Sequence, residues 1–165
     1  MHDSREILTV GHSTHPIERF LKLLGSADIE VVADVRRYPG SRRHPQFGAE
    51  ALASSLAEAG IGYEPFGEEL GGRRRAQKPR AESRWRNAAF AAYAEYMESE
   101  EFAAGLARLE RLAHERRAVV MCAEGLWWRC HRRLIADALA GRDWQVLHLF
   151  PDAKLQPHPD TLELE

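Results

Sequence analysis

At 165 residues the chain has the length of one ordinary domain, long enough to bury a core. Its hydrophobic content of 44% and charged content of 29% exclude the disordered class. Its longest apolar runs, such as Ala118 to Ala123, are much too short to span a bilayer. The N-terminal MHDSREILTVGHS carries charges where a signal peptide needs its apolar stretch, so the expected location is cytoplasmic, with reduced thiols and no membrane partner. A net charge of -2 argues against a surface coated for bulk nucleic-acid binding, but the basic residues are unevenly placed. Only Lys22, Lys78 and Lys154 are lysine; the rest are arginine, bunched at 36–43, 73–86 and 129–133. A GC-rich genome favours arginine over lysine but does not explain the clustering. Arginine's planar fork suits bidentate contact with phosphate or carboxylate, so the clusters point to a localised anion site.

In chain order, Ile7 to Val10 reads as a strand ending at Gly11-His12-Ser13. Pro16 suits the first turn of a helix with Ile17, Phe20, Leu21 and Leu24 on one face and Gly25 as its stop. Ile29 to Val35 is a second strand, apolar enough to be buried on both faces. The turn-rich YPGSRRHP follows, then a helix over about 49–59 closed by Gly60, then a third strand over 61–66. From Gly67 to Arg86 there is no apolar period; stretches of that length are usually functional loops or disordered. Asn87 and Ser99 can cap two helices, the second with Phe102, Leu106, Leu109 and Leu112 inward. Ala118 to Cys122 is a fourth strand, Arg129 to Ala140 a helix stopped by Gly141, and Gln145 to Phe150 a fifth strand. The tail from about 151 is either a packed extension or frayed.

This alternation predicts one domain over 1–165, a three-layer α/β/α fold with a mostly parallel sheet of about five strands. In such sheets ligands bind beyond the carboxyl ends of the strands. There the sequence places His12 and Ser13, then Asp34 and Arg36 with Arg42 and Arg43, then Glu69 and Arg73, then Cys122 and Glu124. Polar and reactive types gather at that edge and are sparse at the other.

The segment MCAEGLWWRCHRR holds both cysteines. Cys122 closes a buried strand, and Cys130-His131 is expected to open the next helix, whose free N–H groups and dipole favour an anion. A thiol there, beside Arg129, His131 and Arg132, is expected to have a lowered pKa. The plainer reading of each cysteine is a small buried hydrophobe, and for Cys122 the two stand about even. A lone C-x7-C-H lacks the second half of any common zinc pattern, so no metal is expected. The bulky or acidic Glu124, Leu126, Trp127 and Trp128 fit poorly in a cysteine-phosphatase loop. Asp34 can orient a histidine or a substrate hydroxyl, or simply pair with a neighbouring arginine. His12 and Ser13 can contact substrate or cap the first helix. Glu69 can act as a base or neutralise Arg73. The run Arg73-Arg74-Arg75 can grip an anion from a mobile loop or be a solvated face. Trp85 can stack a nucleobase or pack in the core, and Tyr93 and Tyr96 read as helix-face packing.

The series GHS (11–13), DVR (34–36), PGSRR (39–43), PQF (45–47), ELGGR (69–73), WRN (85–87), YAEYM (93–97) and CAE…RCHRRLIAD (122–137) resembles the family catalogued as domain of unknown function 488. The resemblance runs over nearly the whole chain, with GLW between CAE and WRCHR as a departure from a more polar, proline-containing stretch. It implies a single cytoplasmic α/β domain, no cofactor, and site residues at the motif positions: His12, Ser13, Asp34, Arg36, Arg42, Arg43, Glu69, Arg73, Cys122, Glu124, Cys130, His131 and Arg132. It implies no reaction. The DVR segment is also faintly similar to rhodanese-like domains, from which the cysteine loop differs.

Three functions follow as expectations. The first is an enzyme acting on a phosphate-bearing substrate, a nucleotide or nucleic acid. In it Cys122, Glu124, Cys130, His131 and Asp34 do the chemistry, while His12, Ser13, Arg36, Arg42, Arg43, Glu69, Arg73, Arg129 and Arg132 bind. The second is a non-catalytic nucleic-acid-binding module, and the third a thiol redox sensor pairing Cys122 with Cys130. Strand order and oligomeric state are not readable from one sequence.

Overall fold

The computed structural model of the chain describes residues 5–40, 42–76 and 87–159. Ser41 of the PGSRR motif and Lys78, Arg80, Arg84, Trp85 and Arg86 of the long arginine-rich segment lie outside the described residues. The strands are β1 (Glu6–Gly11), β2 (Val31–Asp34), β3 (Gly62–Pro65), β4 (Ala118–Cys122), β5 (Gln145–Leu149) and β6 (Leu155–Pro157). They form one sheet in the order β3-β2-β4-β1-β5-β6, in which the first five are parallel and β6 is antiparallel to β5. The helices are α1 (Ile17–Ser26), α2 (Ala49–Glu58), α3 (Gly67–Leu70), α4 (Ala88–Tyr96), α5 (Glu100–Glu115) and α6 (Arg132–Ala140). No helix among the described residues is long and apolar enough to cross a membrane.

The layers follow from the direction of the connections. The chain steps one way across the sheet through α1 and α2, then back the other way through α3–α5 and α6. One handedness of crossover puts those two sets on opposite faces. Phe20, Leu24, Leu52 and Leu56 of α1 and α2 pack on Leu8, Val10, Val32, Val119 and Met121. Phe90, Tyr93, Leu106, Leu109, Ile135 and Leu139 of α4–α6 pack on Ile7, Val31, Ala33, Val120 and Cys122. This is the three-layer α/β/α arrangement, with six strands where the sequence pattern gives about five. β2 and β4 are buried at every position because helices cover both faces.

Alternation along these strands assigns each side chain to a layer. In β4, Val119 and Met121 face α1 and α2, while Val120 and Cys122 face α4–α6. In β2, Ala33 faces α4–α6 and the next residue, Asp34, points the other way. Residues adjacent at the same sheet edge are thereby sent to opposite sides.

Local signals set the helix ends. The Asn87 side chain accepts from the amides of Ala89 (2.8 Å) and Phe90 (3.1 Å), and Ser99 Oγ accepts from Phe102 N (3.1 Å). Two elements escape the pattern. The short helix α3 lies in a stretch without apolar period, and only Leu70 of it is buried. The last helix begins at Arg132 rather than Arg129, because a 3-10 turn over Trp127–Arg129 and an extended Cys130 precede it.

The tail is a packed extension as far as the described residues run. β6 pairs with β5, and His158 N bonds Val146 O at 2.8 Å. A buried chain of polar groups anchors it: Thr9 Oγ1 donates to His148 Nδ1 (2.5 Å), His148 Nε2 to His158 Nδ1 (2.8 Å), and His158 Nε2 to Asp137 Oδ1 (2.8 Å). With each imidazole neutral, every group in that direction finds its partner. Trp127 stacks flat on His148, with centroids 4.3 Å apart. Burial, helped by the neighbouring His158 ring and the Arg132 charge, pushes the His148 imidazole down to about 2. The unfolded chain accepts a proton on this group below about pH 6.5 and the folded chain refuses it. Stability contributed here is therefore full above pH 6.5 and is lost as pH falls, at up to about 1.4 kcal/mol per unit. The stability advantage of the wild type over His148→Gln, read from urea midpoints, is expected to shrink from pH 6.5 to pH 5. A constant gap would show that the folded protein protonates His148 as readily as the unfolded chain.

Candidate functional site

The carboxyl end of β4 is the point where the connections part. β4 leads to α6 on one face, while its two neighbours β1 and β2 lead to α1 and α2 on the other. Such a divergence opens a crevice at the strand ends, and Cys122 is the last residue of β4. A cavity of about 320 Å³ lies there, on the α4–α6 side. Cys122, Ala123, Glu124, Arg129, Cys130 and His131 line it from the β4–α6 connection. Arg36, Arg37 and Tyr38 come from the loop after β2, Gly72 and Arg73 from the loop after α3, and Ala89, Phe90 and Tyr93 from α4.

Two close approaches hold these walls together. A Cβ on Gly11 would stand 1.9 Å from the Glu124 carbonyl oxygen, so glycine lets the loop after Cys122 fold back over the end of β1. Amides of His12 and Ser13 continue the ladder to Cys122 O (2.9 Å) and Ala123 O (3.0 Å). A Cβ on Gly71 would stand 2.8 Å from Arg37 Cα, so glycine brings the loop carrying Arg73 against the loop carrying Arg37. Tyr93 and Tyr96 of α4 tie that segment down through hydrogen bonds to Leu70 O (2.7 Å) and Glu69 O (2.6 Å).

The floor holds the two thiols and an imidazole. His131 Nε2 donates to Val35 O at 3.0 Å, which leaves the Nδ1 lone pair 3.3 Å from Cys130 Sγ. Nδ1 is thus the alternative acceptor for the one Cys130 proton, which turns to Cys122 when that thiol ionises. Burial holds the His131 imidazole down at about 4, with the Arg132 and Arg74 charges adding to it, so His131 is neutral at pH 7. Burial pushes the Cys122 thiol up, but the hydrogen bond from Cys130, the Arg132 charge and the Glu124 backbone outweigh it, and Cys122 lies below the ordinary thiol range. The same interaction with Cys122, together with burial, pushes Cys130 well above that range. This reverses the expectation that Cys130 is the acidified thiol. Cys130 stands before α6 in an extended conformation, and the pull of the helix amides, through Arg132 N, is the lesser influence.

Arg132 is buried beneath the loop, its Nη2 donating to the carbonyls of Glu124 (3.3 Å) and Gly125 (3.5 Å). It therefore acts on Cys122 as a buried positive charge from below. Glu124 is exposed at the cavity rim and uses Oε1 to accept from Leu126 N at 3.1 Å. At the mouth, Arg37 is half-buried and Arg73 and Arg129 are exposed. Arg73 has a left-handed backbone, φ 58°, a conformation uncommon for a residue with a side chain.

Several sequence-predicted residues lie elsewhere. Asp34 faces the α1–α2 side and is fully engaged: Arg36 Nε and Nη2 donate to its two oxygens at 2.9 and 2.7 Å, and Tyr63 Oη donates at 2.6 Å. Asp34 thus pairs with a neighbouring arginine and has no opening to the cavity. Arg36 touches the cavity wall, but its guanidinium is spent on Asp34, on Phe47 O (2.7 Å) and on His12 Nε2 (3.4 Å). His12 is buried, stacks on Phe47 at 4.2 Å and donates from Nδ1 to Ser13 O at 2.9 Å. Burial, against the pull of that hydrogen bond, holds it at about 4. Ser13, Arg42 and Arg43 do not line the cavity, and the two arginines are exposed. Glu69 turns to α5, where Arg108 Nη2 donates to it at 2.7 Å. The residues that sequence reasoning left out are Arg37, Tyr38, Phe90 and Tyr93. Arg37 and Tyr38 carried a usable signal, since they follow β2 directly at the carboxyl edge.

These features define a doubly wound α/β protein with a thiol-floored, arginine-mouthed crevice at the carboxyl end of its central strand. The family model of a domain of unknown function, DUF488, matches residues 16–139, and the chain belongs to that family. No curated protein and no solved structure matches the chain.

Two substitutions test this anatomy. Asp34→Ala strands a buried guanidinium and is expected to lower unfolding free energy by about 3–5 kcal/mol; a loss below about 1 kcal/mol in urea denaturation would contradict the clamp. Gly11→Ala is expected to displace the loop over 123–125 and slow alkylation of Cys122 at neutral pH, and an unchanged rate would show that the Glu124 contact does not position the thiol.

Proposed function

We propose that this protein is an enzyme acting on a phosphate-bearing substrate, a nucleotide or a nucleic acid, with Cys122 as its nucleophile. The observation that carries the reading is the placing of Cys122 and Cys130 on the floor of a cavity whose mouth presents Arg37, Arg73 and Arg129, surroundings that draw the Cys122 thiol below its ordinary range. Buried cysteines that merely pack have no cause to be acidified, whereas reactive ones sit in electropositive surroundings. The cavity volume, about 320 Å³, is at the small end of ligand sites and fits one nucleotide-sized group.

In this reading the arginines hold the anion as bidentate donors. Cys122 attacks the phosphorus as thiolate, stabilised by the Cys130 thiol and the buried Arg132 charge. The S–P bond forms as the P–O bond to the leaving group breaks, and the leaving oxygen takes its proton from water. A second water then hydrolyses the S–P bond to release phosphate and restore the thiolate. Neutral His131, fixed by Val35 O, orients the Cys130 thiol that supports the Cys122 thiolate, and Glu124 at the rim can orient a water by accepting its hydrogen bond. Asp34 has no part in the chemistry. A second reading, a thiol redox sensor, is favoured by the place of both free cysteines on one cavity floor. A non-catalytic nucleic-acid module accounts for the arginines but leaves the acidified thiol without a purpose.

Alkylation of the native protein by iodoacetamide, followed by mass spectrometry across pH 5–10, separates these readings. Cys122 is expected to react with an apparent pKa below the ordinary value of about 8.5, Cys130 above it. Cys130→Ala is expected to move the Cys122 value upward, because the stabilising hydrogen bond is gone. Inertness of Cys122 until the protein unfolds would remove the thiol from the mechanism. Disulfide formation on mild oxidation, with no effect of phosphate compounds on the alkylation rate, would favour the sensor.

A further inference from the structure

We infer that Tyr38, Arg37 and Arg73 form a clamp for one nucleotide unit, the ring of Tyr38 stacking the base and the two guanidiniums holding its phosphate; this rests on the phosphate-bearing substrate proposed above. Tyr38, 63% exposed, is the most exposed of the three large hydrophobic side chains at the surface among the described residues, and it alone of the three lines the cavity. Its ring lies 5.7 Å from the guanidinium carbon of Arg37 and 5.7 Å from that of Arg73. A ring this exposed, beside two guanidiniums, gives the fold little burial and keeps aromatic surface open to a ligand. A base and its phosphate present the matching pair of surfaces, a π-face and an anion.

The clamp is held in place from behind. Arg36, the residue before Arg37, is pinned to Asp34 and Phe47 O, and Pro39 O accepts from Ala49 N at 3.2 Å. Arg73 reaches the same place from the other side through its left-handed backbone, beside glycines that let the two loops touch. Neither Arg37 nor Arg73 has a carboxylate partner among the described residues, so their charge is available to a ligand. In contrast, Arg74 is committed to Gly71 O (2.8 Å), to Glu68 O (2.5 Å) and to the face of Tyr96 at 3.7 Å. Arg37 and Arg73 also line a second, more open groove of about 890 Å³ with Arg74 and Arg75 on one side and Glu95 and Glu98 on the other, so the clamp sits where the inner cavity meets an outer path of mixed charge. A free nucleotide and the end of a nucleic-acid strand share this chemistry; a strand would have to run along the arginine side of the outer groove, away from Glu95 and Glu98.

Isothermal titration calorimetry of the full chain with AMP, ribose 5-phosphate, inorganic phosphate and a short oligothymidylate tests the clamp. AMP or the oligothymidylate is expected to bind at least about fivefold more tightly than ribose 5-phosphate, the gain that stacking of one base supplies. Tyr38→Ala is expected to remove that gain, and Tyr38→Trp to restore it. Preference for AMP identifies a free nucleotide as the source, and preference for the oligothymidylate a strand. Equal binding of AMP, the oligothymidylate and ribose 5-phosphate to the wild type would overturn the clamp while leaving a phosphate site standing. Retention of the gain in Tyr38→Ala would likewise overturn it. Absence of binding by all four, inorganic phosphate included, would overturn both the clamp and the substrate proposed for this site.

Discussion

The buried pair of Asp34 and Arg36 is the interaction on which the crevice depends. Arg36 uses one guanidinium to join the end of β2, the start of α2 through Phe47, and the loop after β1 through His12. Taking both charges out of water is expensive, and the cost is offset only because the geometry is bidentate and Tyr63 satisfies the carboxylate further. The return is positional. With Arg36 held on the α1–α2 side, Arg37 and Tyr38 are delivered to the other side of the same edge, where the cavity lies.

That division of labour comes from the two-residue period of the strands. Asp34 and Cys122 end neighbouring strands, yet one points to α1 and α2 and the other to α4–α6. Polar groups gathered at the edge therefore separate into two networks. One, around Asp34, Arg36, His12 and Tyr63, is closed and saturated. The other, around Cys122, Cys130 and His131, opens to solvent through the cavity. Closed networks rigidify, whereas groups with unused donors and acceptors can meet a ligand.

The thiol chemistry illustrates how neighbours override local expectation. A cysteine near a helix start is ordinarily acidified, but Cys130 faces another thiol across the cavity floor, and two sulfurs in contact cannot both ionise cheaply. The buried Arg132 charge and the backbone at Glu124 favour ionisation at Cys122, which leaves Cys130 as the donor. Arginine thus serves two purposes in one small site: Arg132, inaccessible, biases a thiol, while Arg37, Arg73 and Arg129 at the mouth remain open to an anion.

Periodicity and end signals in the sequence by themselves determined the alternation of strands and helices, the buried character of β2 and β4, the caps at Asn87 and Ser99, and the gathering of Cys122, Glu124, Arg73, Cys130 and His131 at one sheet edge. These are local properties, dictated by which residues recur every second or every third to fourth position. The motif series likewise sufficed to identify the family. Strand order, and with it the placing of β4 between β1 and β2, was decided only by tertiary structure, because pairing of distant strands leaves no mark in a local window. The same holds for which charges cancel. Glu69 finds Arg108 across the fold, Asp34 keeps its neighbour Arg36 and gains Tyr63 from the next strand, and Tyr38 becomes part of the site only because Gly71 lets a loop more than thirty residues away come to rest beside it.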